Sequence, residues 1–153
     1  MKIALLITDN RDPFRKYEKE IPWFGTAPTA LLEGFAKLPD IEVHVISCTQ
    51  RPMKSPAKLA ENIFFHSLLV PKLGWLRTGY QGCIRAVRRK LGEIQPDIVH
   101  GQGTERDQGI SAVLSVLTVT DTGCATPIAY ASCTSAFVAS PAATIFFAMY
   151  RAM

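Results

Sequence analysis

Three short apolar runs constrain this chain most: "KIALLIT" at 2–8, "IEVHVIS" at 41–47 and "DIVH" at 97–100. Runs this continuous suit strands buried on both faces, which is the environment of a parallel sheet. Between the first two, "TAPTALLEGFAKLPD" opens on Thr26 and Pro28, repeats Leu31, Leu32, Phe35 and Leu38 at helical spacing, and stops at Pro39. A second helical face, Ile84, Val87, Leu91 and Ile94, precedes the run at 97–100, with Arg85, Arg89 and Glu93 on another side. Residues 61–71, "ENIFFHSLLVP", read as a third strand or extended segment, 105–115 as a helix and "VLTVT" at 116–120 as a fifth strand. Strands alternating with helices predict an α/β fold: a single Rossmann-like open parallel sheet, flanked by helices and joined by right-handed crossovers.

With 153 residues the chain accommodates one such domain and not two. Its 48% hydrophobic and 20% charged residues set it apart from disordered and fibrous sequences. A net charge of +4 is too modest, and too locally concentrated, to mark a nucleic-acid partner. Cys48, Cys83, Cys124 and Cys133 form no CxxC pair and have no His at ligand spacing, so no metal site is expected and reduced thiols in a cytoplasmic protein are. The opening "MKIALLITDN" has too short an apolar stretch for a secretion signal. Neither a P-loop nor a G-x-S-x-G motif is present, which leaves phosphoryl transfer and serine hydrolysis without support.

The stretch "QPDIVHGQGTERD" at 95–107 ends a buried run on an imidazole and a Gly-x-Gly turn. His100 caps the strand by bonding a neighbouring carbonyl, or it faces a ligand. The glycines serve a positive-φ turn, or they let backbone approach a bound group; a third glycine and a following acidic residue, as in a dinucleotide fingerprint, are missing. Glu105 either accepts hydrogen bonds from a ligand's hydroxyls or stabilises the first turn of the next helix. Lys16 and Lys19, within "RKYEKE", meet an anionic ligand or belong to a solvated surface.

Taken in order, "MKIALLITD", "WFGTAPTALLEGFAKLPDIEVHVIS" and "IQPDIVHGQGTE" resemble the N-terminal, acceptor-side domain of family-4-type glycosyltransferases of the GT-B class, over roughly residues 1–114. The resemblance implies one half of a GT-B fold and transfer of a sugar from a nucleotide-sugar donor to a sugar or lipid-linked acceptor, with no other cofactor. It maps Gly25 onto the glycine-bearing loop before the first helix. It maps His100, Gly101, Gln102 and Gly103, with Glu105 just beyond, onto the substrate-facing end of the fourth strand.

The departures are equally specific. The family's next strand ends in a His-Gly pair, but "VLTVT" is followed by Asp121, Thr122 and Gly123, and no histidine lies beyond His100. The donor-binding basic residue and paired glutamates of the family's second domain have no counterpart here, so no catalytic residue is assigned and the chain is expected to be inactive alone. Beyond Asp107 the charged residues are Asp121 and Arg151, and 122–150 carries none. Residues 115–153 therefore read as an atypical tail, frameshifted or poorly ordered, with a membrane-inserted segment as the competing reading. Three functions stay open: a glycosyltransferase domain, a carbohydrate-binding module or half of a split enzyme completed by a separate donor-domain chain, and a defunct truncated product.

In "FFHSLLVPKLGWLRTGYQGCIRAVRRK", aromatic and aliphatic residues interleave with basic ones. Arg85, Arg88, Arg89 and Lys90 form either a peripheral contact with an anionic membrane at the inner face or an ordinary solvated helix face.

Overall fold

The computed structural model describes residues 1–103, 106–116, 128–132 and 136–138. Strands β1 (Lys2–Leu6), β2 (Glu42–Thr49), β3 (Lys58–Ala60), β4 (Ile63–Leu69), β5 (Ile98–Gln102), β6 (Ile128–Ser132) and β7 (Ala136–Val138) join one sheet in the order β3-β4-β2-β1-β5-β6-β7. The central strands β4, β2, β1, β5 and β6 run parallel, while β3 and β7 pair antiparallel at the two edges. Helices α1 (Thr26–Phe35), α2 (Gln81–Ile94) and α3 (Gln108–Val116) connect them, giving an α/β fold of Rossmann type.

Alternation along β1 divides the core in two. Leu5 and Ile7 pack with Val43, Val45, Ile63 and Phe65 beneath Leu32 of α1. Ala4 and Leu6 face the other way, with Ile46, Val99 and Ala112, beneath Val87, Leu91 and Ile94 of α2. Each such aliphatic side chain contributes about 1.5–3 kcal/mol when removed from water. Placing α1 on one face and α2 with α3 on the other keeps the crossovers of one hand, because the chain moves to one side of β1 at first and to the opposite side after β4.

Several boundaries differ from those the periodicity predicts. Helix α1 stops at Phe35, so Leu38 lies beyond it and is exposed. Lys37 and Leu38 donate to the carbonyls of Gly34 and Phe35 in a tightened last turn, and Pro39 disfavours helical backbone at the residue before it. Strand β5 does not end at His100 but runs on through Gly101 and Gln102, which pair with Ala131 and Ser132 of β6. Val116, expected to open the fifth strand, instead closes α3; residues 117–120 lie outside the described residues. The next described strand, β6, begins at Ile128 and supplies the parallel neighbour that β5 needs. Among the described residues no helix is long and apolar enough to cross a membrane, and most of the uncharged run 122–150 falls outside them.

Candidate functional site

From β1 the chain goes to β2 on one side, whereas β5 lies on the other. The loops leaving the carboxyl ends of β1 and β5 therefore diverge, and in open α/β sheets that divergence forms the ligand crevice.

The loop after β1 is built around a buried ion pair. Arg11 and Asp9 have fully buried side chains, and their closest approach is 2.6 Å. Arg11 Nε donates to both Asp9 oxygens, and Nη2 donates to Asp9 Oδ2 and to Ser55 Oγ at 2.7 Å. Its Nη1 donates to the carbonyls of Lys19, Glu20 and Lys54 at 2.6, 3.0 and 2.9 Å. A planar guanidinium can hold two loops in this way because its donors diverge from a rigid fork. The side chain is thus a frame for residues 9–20 and 54–55, and the neighbouring Lys16 lies over the Trp23 ring at 4.9 Å.

The loop after β5 has two glycines with two different causes. A Cβ on Gly101 would sit 2.7 Å from the Gln108 carbonyl oxygen and 3.0 Å from Ala112 Cβ, so this glycine lets α3 lie close against β5. Gly103 has φ of 102°, a left-handed conformation that favours glycine. His100 and Gln102 lie on the opposite sheet face from Val99 and Gly101. They share the α1-side face with Leu5, and the imidazole donates from Nε2 to Gln102 Oε1 at 3.1 Å. Glu105 lies outside the described residues.

Asp12 and Arg106 join the two loops. Arg106 Nη2 lies 3.3 Å from Asp12 Oδ2, linking residues 94 positions apart, while Asp12 Oδ1 accepts from the Gln50 backbone at 3.2 Å. The Arg106 guanidinium also covers the Trp75 ring at 4.6 Å. Beside them Gln108 donates from Nε2 to Thr8 Oγ1, again joining the two loops. The resulting wall carries a cation, a carboxylate and amide and hydroxyl groups, which suits hydrogen bonding to a polyhydroxylated or anionic ligand. Gly25 is further along the β1 loop, in extended backbone as the N-cap of α1, with only Pro28 near a would-be Cβ at 3.8 Å.

Asp9, Arg11, Asp12 and Arg106 were not singled out by the sequence patterns. Their one available signal was position: charged residues directly after a buried strand are costly to place unless they are paired. Of the basic residues on α2, Arg85 and Arg89 are exposed, whereas Arg88 donates to the Leu114 carbonyl at 3.3 Å and Lys90 pairs with Glu93. The exposed apolar residues Leu69, Leu73 and Leu76 lie before that helix, with Lys72 and Arg77 among them. A groove of about 590 Å³ lies at the opposite end of the strands, lined by Lys2, Asp40, Glu42, Glu93 and Asp97, away from the crevice.

Beneath the β5–α3 turn, Cys48 at the end of β2, Cys83 in the first turn of α2 and Asp107 just before α3 converge. Their ligand-type atoms lie within 4.8 Å of one another and all three residues are buried. Hydrogen bonding to Cys83, followed by burial, pushes the Cys48 thiol well above its usual range. Burial raises the Asp107 carboxyl against the opposing effect of its bond with Cys48. No protein-family model matches the chain, and neither curated proteins nor solved structures provide a match.

Proposed function

We propose that this chain is the acceptor-side domain of a family-4-type GT-B glycosyltransferase, working with a donor-binding domain that holds the nucleotide sugar. One observation carries most weight: β1 pairs parallel with β5 at the strand-order reversal and Arg106 bonds Asp12 just beyond them, so the first and last of the three segments that resemble the family end side by side at one crevice. The fold is compatible with half of a GT-B enzyme but is shared by many proteins of other function.

In this reading Gln102, Arg106 and the backbone around Gly101–Gly103 bind and orient the acceptor, and His100 positions Gln102 through its 3.1 Å bond. The acceptor is a sugar or a lipid-linked sugar. For the latter, the exposed Leu73 and Leu76 with Lys72, Arg77, Arg85 and Arg89 offer a peripheral contact with an anionic cytoplasmic membrane face. Sugar transfer itself passes through an oxocarbenium-like transition state, and its departing nucleotide diphosphate is stabilised from the donor side.

The test is protein-observed NMR of the 153-residue chain with free saccharides and with a short-chain polyprenyl diphosphate sugar. Perturbation confined to 100–103 and Arg106, lost in Arg106→Ala, is the expected result, together with no transfer of labelled sugar by the chain alone. Silence across that panel, or perturbation centred on Lys2 and Glu93 at the opposite end, would overturn the assignment.

A further inference from the structure

Three buried carboxylates lie at the carboxyl end of this sheet: Asp12 pairs with Arg106, and Asp9 and Asp107 have different partners again. Asp9 is enclosed by the guanidinium of Arg11. Asp107 is 3% exposed and, among the described residues, no Lys, Arg or His forms an ion pair with it. What faces it instead is a pair of buried thiols, Cys48 and Cys83. One helical turn beyond Asp107 on α3, Ser111 Oγ is also buried and, among the described residues, has no hydrogen-bond partner.

We propose that Cys48, Cys83 and Asp107 bind a borderline-soft divalent cation, Zn²⁺ being the best match. Two sulfur donors and one carboxylate oxygen favour zinc over magnesium or calcium, which take oxygen ligands. Around tetrahedral zinc, donor atoms lie roughly 3.5–3.8 Å apart, so the observed separations, none above 4.8 Å, close with a contraction of about 1 Å. The three protein ligands leave a fourth position, for water or for Ser111 Oγ after a rotamer change.

The donors come from β2, α2 and the residue just before α3, which are brought together only in the folded chain, so the ion binds and stabilises the native state. Binding displaces the thiol protons to solvent and holds the turn that carries Arg106. This inference is independent of the glycosyltransferase reading, because it needs neither a sugar nor a donor domain.

The experiment uses the whole chain carrying Cys124→Ser and Cys133→Ser, kept reduced, with Co²⁺ or Zn²⁺ added both before and after refolding. One equivalent of Co²⁺ should produce a thiolate-to-cobalt charge-transfer band that Zn²⁺ bleaches, and Zn²⁺ but not Mg²⁺ should raise the unfolding midpoint. Cys83→Ser should remove the band. Asp107→Asn, which retains the side-chain volume, should weaken Co²⁺ binding at least tenfold while circular dichroism and the NMR spectrum stay native. A folded chain that yields no band, a band that survives Cys48→Ser or Cys83→Ser, or undiminished affinity in Asp107→Asn would each overturn the site.

Discussion

Asp9 and Asp107 occupy equivalent depths at one end of the same sheet, yet one is answered by a guanidinium and the other by two thiols. Asp9 ties loops together: its oxygens also accept from the backbones of Arg11 and Trp23, so both charge and hydrogen-bond capacity are used locally. Asp107 ties helices to the sheet through weaker sulfur partners, and burial raises its carboxyl. The contrast separates a carboxylate whose burial is offset within the polypeptide from one whose surroundings accept an added cation. It also predicts opposite responses when each is neutralised.

The largest effect is expected at Arg11. Replacement by Met leaves Asp9 buried without its counter-charge and should cost about 3–5 kcal/mol in urea unfolding. Arg11→Lys should recover little, because an ammonium cannot reach the carboxylate and the carbonyls of Lys19, Glu20 and Lys54 together. A loss below about 1 kcal/mol would contradict the framing role assigned to this pair.

Next in size is the contact between β5 and α3. Gly101→Ala forces a methyl against the Gln108 carbonyl and Ala112, with an expected cost of about 1–3 kcal/mol and displaced α3 resonances. Gly25→Ala meets only Pro28 at ordinary contact distance and should stay within about 0.5 kcal/mol of the parent. Equal costs at the two positions would remove the distinction between a packing glycine and an open one.

A third test concerns pH. His66 titrates at about 4, lowered from 6.5 chiefly by burial, and its Nε2 lies 2.9 Å from His44 Nδ1. Between those values the unfolded chain binds more protons, so stability should fall as pH drops from 6.5 towards 4. His66→Gln should flatten that part of the denaturation profile; an unchanged slope would refute the assignment.

The smallest effect, and the sharpest for the comparison, is Asp107→Asn without metal. Because the folded carboxyl titrates above its ordinary range, the native state holds the proton longer, and stability declines as pH rises through that interval. Neutralisation should therefore leave the chain as stable or slightly more stable at neutral pH, whereas Asp9→Asn should destabilise it. Matched chemical denaturation of the two variants measures the difference directly.

Much of the architecture was legible in sequence. Continuous apolar runs at 2–8 and 41–47 became β1 and β2, the segment 61–71 read as strand or extended chain became β4, and Ile84, Val87, Leu91 and Ile94 all turned inward from α2. The ends were less legible: β5 outran its apolar run because ladder bonding to β6 continues through Gly101 and Gln102. Of the proposed crevice residues, the glycine turn was visible as a motif, but the Arg106–Asp12 link was not, since its partners are 94 positions apart.

What the sequence by itself determined is the alternation of strand and helix and the faces that seek burial, because periodicities of 2 and 3.6 are properties of neighbouring residues. Only the tertiary structure decided that Cys48, Cys83 and Asp107 meet and that Gly101 is needed for the approach of α3. Those contacts follow from which strand ends lie side by side after the chain crosses β1, an ordering that no local pattern contains.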